Sequence, residues 1–202
     1  MIKNIIFDIG NVLMGFDADN YGSKFFQDQE QAQLLQQAIN SFHLWDKCDL
    51  GLQPVEQVIE DFAQTLPGQE AMAKKAIYAS VDYVLHADYA IPWLQELHNQ
   101  GCRTFYLSNY NEYLIGQRPD ILDFLDYMDG GIFSCRVHLI KPDPAIYLKL
   151  LATYGLMPEE CVFLDDRPAN IAAAEKLGIQ GILVKNYLQA RADLQSLLAD
   201  NI

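Results

Sequence analysis

An apolar run, Ile5-Ile6-Phe7, opens the chain and stops at the carboxylate of Asp8; after the turn-forming pair Gly10-Asn11 the apolar residues resume at Val12-Leu13. A short unbroken apolar run closed by a polar residue predicts a strand buried on both faces. From about residue 21 to residue 86 the period becomes helical. Phe25, Phe26, Leu34, Leu35, Ala38 and Phe42 recur at helical spacing, and after a break at Asp49-Leu50-Gly51 so do Val55, Val58, Ile59, Phe62 and Leu66. Pro67-Gly68 breaks the pattern again, and residues 71–85 read as a third helical stretch. No strand is predicted in this region. The short stretch before it, from Met14 through Asp17 to Asn20, reads as a hinge or flap.

From Asp88 onward, strand and helix patterns alternate. A helix over 88–100 carries Ile91, Leu94 and Leu97 on one face, with Gly101 suited to its C-terminal cap. Residues 103–108 form a strand ending in the polar pair Ser108-Asn109, and 132–134 another. Pro142 or Pro144 opens a helix carrying Ile146, Leu150 and Leu151, closed by Gly155. The apolar run from Cys161 ends in Asp165-Asp166, and Pro168 starts a helix through Ile171, Ala174 and Leu177. A strand over 182–185 and a helix over 193–199 complete the chain. Repeated strand–helix units with short connections predict an α/β fold, a Rossmann-like doubly wound parallel sheet with an inserted α-helical cap. Residues 1–16 and 87–202 would form the core, and 17–86 the cap.

Charge and composition narrow the partners. The chain of 202 residues has a net charge of −13, and its 14 Lys and Arg are scattered. No basic patch is available for a phosphate backbone, so no nucleic-acid partner is expected. Cys48, Cys102, Cys135 and Cys161 lie far apart without a Cys-x-x-Cys pair, which predicts reduced thiols in a cytoplasmic protein. His43, His86, His98 and His138 lack metal-ligand spacing. No apolar run approaches bilayer length and no secretion signal is read at the N-terminus, so no membrane association is expected.

Three strands therefore end in polar groups: Asp8, Ser108-Asn109 and Asp165-Asp166. In a parallel sheet such ends share one edge, where residues distant in sequence converge. Lys141 joins them from the position before Pro142, which favours an extended backbone. Each acid alone fits a turn or helix cap. Together, carboxylates that repel one another call for a cation, and this set suits Mg²⁺ held by one or two carboxylates, a carbonyl and waters. A phosphate dianion would complete the shell, with Lys141 and the Ser108 hydroxyl on its other oxygens.

The ordered motifs Phe7-Asp8-Ile9-Gly10-Asn11-Val12, Leu107-Ser108-Asn109, Lys141-Pro142-Asp143-Pro144 and Phe163-Leu164-Asp165-Asp166-Arg167-Pro168-Ala169-Asn170 resemble the haloacid dehalogenase superfamily over essentially the whole chain. Within it the chain is similar to the branch of bacterial glucose-1-phosphate phosphatase and the N-terminal phosphatase domain of soluble epoxide hydrolases. The resemblance implies that Asp8 is a nucleophile forming an aspartyl-phosphate. Mg²⁺ would be held by Asp8, the Gly10 carbonyl and Asp166, with Asp165 behind them or acting through water. Ser108 and the Asn109 amide would bind phosphate oxygens, Lys141 would neutralise both Asp8 and the phosphoryl group, and Asn170 would support the metal from its outer shell. The implied activity is hydrolysis of a small phosphorylated metabolite, a sugar phosphate such as glucose 1-phosphate.

One position departs from the superfamily pattern. Its phosphatases usually carry a second Asp two residues after the nucleophile, to protonate the leaving oxygen and then activate water. Here that residue is Gly10, as in the Asp-x-Gly-Asn form of glucose-1-phosphate phosphatases in this branch. An anomeric phosphate has a better leaving group and depends less on an acid, and Asn11, Asp17 or a metal-bound water would then serve the second step. Two other readings stay open: a dehalogenase, in which metal is dispensable, and a catalytically weak protein that binds a phosphorylated ligand. Trp45-Asp46-Lys47 and Asp49-Leu50-Gly51 either face the site, an aromatic beside charges suiting a sugar, or form an ordinary loop around a buried Trp. Arg167 meets a substrate anion or caps a helix.

Overall fold

The apolar run after Lys3 becomes β1 (Asn4–Phe7), buried at all four positions and central to the molecule. The computed structural model describes residues 1–17, 20, 21 and 29–199. Among the described residues, β1 is followed by β2 (Met14–Phe16) and the helices α1 (Gln29–Phe42), α2 (Leu44–Leu50), α3 (Val55–Ala63) and α4 (Glu70–Ala79). The chain then enters β3 (Val84–His86) and alternates through α5 (Ala90–Asn99), β4 (Arg103–Ser108), α6 (Glu112–Gln117), β5 (Gly130–Phe133) and α7 (Ser134–Val137). Helix α8 (Pro144–Tyr154), β6 (Cys161–Asp165), α9 (Pro168–Glu175), β7 (Gln180–Leu183) and α10 (Tyr187–Ala199) follow. The main sheet has five parallel strands in the order β5-β4-β1-β6-β7. Phe7 lies between Tyr106 and Leu164 in register, so Asp8, Ser108 and Asp165 all reach the same C-terminal edge.

Alternation along β1 feeds two apolar layers. Ile5 and Phe7 join Trp93 and Leu94 of α5 and Leu194 of α10 on one face, where Phe7 meets the Trp93 ring edge-on at 5.0 Å. Ile6 joins Phe105, Phe163, Ile146 of α8 and Ala174 of α9 on the other. Both faces are thus covered, as an all-parallel sheet requires. The helices between β2 and β3 hold a third apolar cluster of their own around Leu44, Val58, Ile59 and Phe62. No helix among the described residues is long and apolar enough to cross a membrane.

The doubly wound sheet and most of its elements follow the predicted pattern, and the departures have local causes. Residues Met14–Phe16 of the flap stretch form β2, and its antiparallel partner β3 occupies 84–86, where a helix was predicted. Three residues with only Val84 buried are too few to show a period of two. Helix α4 stops at Ala79 and a 3₁₀ turn spans Ser80–Tyr83. The predicted positions Phe25 and Phe26 lie outside the described residues. Helix α10 starts earlier than predicted, and β7 lies two residues earlier.

The break at Asp49-Leu50-Gly51 is the end of α2, with Gly51 at φ 63° as its C-terminal cap. That end is seated on α7. Ser134 Oγ donates to the Asp49 carbonyl at 2.7 Å, and His138 Nδ1 lies 2.9 Å from the Leu50 carbonyl oxygen. A Cβ on Gly51 would stand 2.5 Å from the Cys135 carbonyl oxygen, so the close approach and the left-handed backbone both demand glycine. Gly51→Ala is expected to lower stability by about 1–3 kcal/mol, through overpacking and a disfavoured φ. Urea unfolding of the two proteins measures the difference.

Candidate active site

Asp8, one residue beyond β1 and 7% exposed, is gripped through a single oxygen. Its Oδ1 accepts from the Ile9 amide at 2.7 Å and the Ser108 hydroxyl at 2.8 Å, and Lys141 Nζ stands 2.9 Å away. Lys141 is buried, and its ammonium also donates to Asp165 Oδ2 at 2.7 Å. Asn109 sets its backbone. The Asn109 side chain donates to the Lys141 carbonyl at 3.0 Å and accepts from the Lys141 amide at 2.8 Å.

Asp165 ends β6 with no exposure at all. Besides Lys141, its carboxylate accepts from the Arg167 amide at 2.8 Å and from Asn170 Nδ2 at 3.0 and 2.9 Å. The Arg167 side chain is exposed and only its main chain serves the cluster. Asp166 accepts from Asn11 Nδ2 at 3.0 Å, with Asn11 in the left-handed region at φ 56°. Asn170 is buried, its carbonyl oxygen accepts from the Tyr147 hydroxyl at 3.0 Å, and its Oδ1 has no hydrogen-bond donor among the described residues.

One carboxylate oxygen from each of Asp8, Asp165 and Asp166 lies within 4.8 Å of the others. Burial pushes the Asp8 carboxyl above its ordinary value, Lys141 opposes that rise, and Asp165 adds to it. The cluster therefore has the charge and oxygen donors that suit a hard divalent cation.

A cavity of about 400 Å³ opens over Asp8. The sheet edge gives it Gly10, Asn11, Ser108 and Asn109, and the helices between β2 and β3 give it Gln36, Ile39, Trp45 and Asp49. A Cβ on Gly10 would meet nothing within 4 Å. Two residues singled out in the sequence lie elsewhere. Asp17 is tied to the Asn20 amide and side chain at 3.3 and 2.6 Å, and Lys47 sits over the Phe42 ring, 3.5 Å from its centroid. A larger cleft of about 530 Å³, between Gln53 and Glu112, contains none of the clustered residues.

Asp49 is the cavity residue whose chemistry the sequence left undecided. Its Oδ1 accepts from Asn111 Nδ2 at 3.0 Å. Asn111 is itself fixed, because its Oδ1 caps α6 by accepting from the Leu114 amide at 3.1 Å. Burial pushes the Asp49 carboxyl from 3.8 up to about 7. The Asn111 bond opposes the rise, Asp46 and Asp8 reinforce it, and Lys141 lowers it. The only signal in the sequence was an acid at the break between two helices.

Residues 2–178 match the family model of the haloacid dehalogenase-like hydrolases. The chain belongs to that family. This haloacid dehalogenase-like hydrolase is 26% identical to the sesquiterpene phosphatase astK of Aspergillus oryzae over 97% of its own length and 96% of the relative's. It is 22% identical to D-ribitol-5-phosphate phosphatase of Bacteroides thetaiotaomicron, covering 98% of the chain and 99% of that protein. The similarity to flavin mononucleotide hydrolase 1 of Arabidopsis thaliana, 35% over 39% of the chain, spans only 32% of that longer protein. Among solved structures, a haloacid dehalogenase family enzyme of Bacteroides thetaiotaomicron in complex with magnesium and inorganic phosphate shares the fold. It matches with a TM-score of 0.71 and 22% identity over 92% of this chain and 95% of that one.

The raised Asp49 carboxyl has a consequence for stability. The native state holds this proton to about pH 7, whereas an unfolded carboxyl releases it near 3.8. Between those values the native state binds more protons, so Asp49 makes stability fall as pH rises from about 4 to about 7. Asp49→Asn should remove that part of the slope and leave the variant relatively more stable at pH 7 than at pH 4, read from urea midpoints of both proteins.

Proposed function

We propose that this hydrolase is a Mg²⁺-dependent phosphatase that cleaves a small phosphomonoester through an aspartyl-phosphate on Asp8. The observation that carries the reading is the Asp8 carboxylate, fixed by the Ile9 amide and the Ser108 hydroxyl at the floor of a cavity with a buried ammonium beside it. Three acids converge within 4.8 Å, two of them on one buried Lys, and the orphaned Asn170 Oδ1 is suited to a metal-bound water. Asp8, the Gly10 carbonyl and Asp166 would hold the ion. Asp165 would act behind them, because its oxygens already take Lys141, Asn170 and the Arg167 amide. When bound, Mg²⁺ would offset phosphoryl charge. Magnesium and phosphate in the Bacteroides enzyme support this assignment. Ser108, Asn109 and Lys141 would orient the phosphoryl group, and residues 17–86 would cap the cavity against bulk water.

For the substrate we favour a sugar phosphate such as glucose 1-phosphate. Trp45 lines the cavity with an aromatic ring suited to a sugar, and Gln36 brings a polar side chain for its hydroxyls. The ribitol-phosphate relative supports this choice. The four buried free thiols suit a cytoplasmic protein.

Phosphate release from a panel of sugar phosphates, with a terpenyl phosphate alongside, tests the reading. Activity should need Mg²⁺, vanish with EDTA, and fall at least about 10³-fold in Asp8→Asn. A terpenyl preference would overturn the sugar assignment alone. Dehalogenation that survives EDTA, or ligand binding without turnover, would replace the phosphatase reading.

A further inference from the structure

We propose that Asp49 is the general acid and base of this reaction, delivered from the helical insertion rather than from the strand that bears the nucleophile. The inference rests on the phosphatase reading and deepens it. Cleaving an alkyl phosphate requires a proton for the departing oxygen, and hydrolysing the aspartyl-phosphate requires a base for water. The residues around Asp8 leave few suppliers of either. Gly10 has no side chain, and Asp17 is tied to Asn20. Asp165 is fully occupied, and Asp166 is bonded to Asn11. Two phenols line the cavity, Tyr21 and Tyr110. Both are pushed up to about 12, and they donate to the Ala76 carbonyl and to Met14 Sδ. Among the described residues, Asp8 and Asp49 are the carboxyls lining that cavity.

Three features fit Asp49 for the role. Its helix end is seated on the core by the Ser134 and His138 contacts and by the close approach of Gly51 to Cys135, so its position is set by packing. Asn111 can present only its NH₂ group, because its Oδ1 is engaged by Leu114; Asp49 Oδ1 is therefore the acceptor, and Oδ2 is left to carry the proton. Finally, the carboxyl is poised near neutrality, where a group can both give and take a proton. The titratable and charged groups around it are Asp46 and Cys48 on its own helix, Tyr110 and Cys135 from the core, and Asp8 and Lys141 at the sheet edge.

The steps balance. As an Asp8 carboxylate oxygen bonds to phosphorus, the ester P–O bond breaks and its electron pair goes to the alkoxy oxygen, which takes the Asp49 proton and leaves as the alcohol. Water then attacks phosphorus while Asp49 carboxylate takes one of its protons. The P–O bond to Asp8 breaks, phosphate leaves, and both acids return to their starting states.

Asp49→Asn is the test, because an Asn can still accept from Asn111 and has no proton to give. Full-length wild type and variant are compared with Mg²⁺ on p-nitrophenyl phosphate, whose leaving group needs no proton, and on an alkyl phosphate, with thermal unfolding to verify the fold. The variant should lose about 10²–10⁴-fold in kcat/KM on the alkyl ester and less than about tenfold on the aryl ester. A stoichiometric burst of p-nitrophenol should precede slow turnover. The wild-type alkyl profile should fall above about pH 7, and the variant should lose that limb. Equal losses on both esters with the alkaline limb retained would overturn the proposal and leave Asp49 a structural residue. A wild type without Asp8-dependent phosphate release would overturn it together with the phosphatase reading.

Discussion

The Lys141 ammonium between Asp8 and Asp165 is the interaction on which the rest of this molecule depends. It is buried, as are both carboxylates, and the distances of 2.9 and 2.7 Å leave no room for water between them. Removing one member of such a group strands the others without compensation, at a cost of about 3–5 kcal/mol. The surroundings are built to keep it together. Asn109 locks the lysine backbone, Ser108 and the Ile9 amide orient Asp8, and Asn170 with the Arg167 amide saturates Asp165. Parallel register brings these pieces from β1, β4 and β6 to one edge.

That cluster is a poor proposition without a purpose. Three acids and one ammonium leave a surplus of negative charge in a place with little water to screen it, within a chain that already carries a net charge of −13. Such an arrangement costs folding energy and is the sort of local conflict that marks a functional site. The cap side of the cavity has a different character. There Ile39 and Trp45 stand beside Gln36 and Asp49, giving a mixed apolar and polar wall.

Much of this was legible in the sequence because the sheet is buried on both faces. Apolar runs that stop at Asp8, Ser108 and Asp165 locate both the strands and the edge where they end, and family motifs at those stops locate the chemistry. Short elements were not legible. The β2–β3 ribbon has three residues per strand, and α7 has only four residues, too few for any period to emerge. Asp17 was the acid read from the sequence for the second step, and Asp49 only part of a break between helices. Their partners separate them: Asp17 accepts from Asn20, three residues on, and Asp49 from Asn111, 62 residues away.

The attachment of α2 to α7 divides the molecule differently from its order along the chain. By sequence Asp49 belongs with the helices between β2 and β3. By mechanical connection it belongs with the sheet, through Ser134, His138 and the Gly51 contact. Leu44 and Cys48 of the same helix sit in the apolar cluster shared with α1, α3 and α4, so α2 couples that cluster to the sheet. Trp45 and Asp49 line the cavity from that one short helix, so the cavity wall and the sheet edge are held in step, and a change that shifts one carries the other with it.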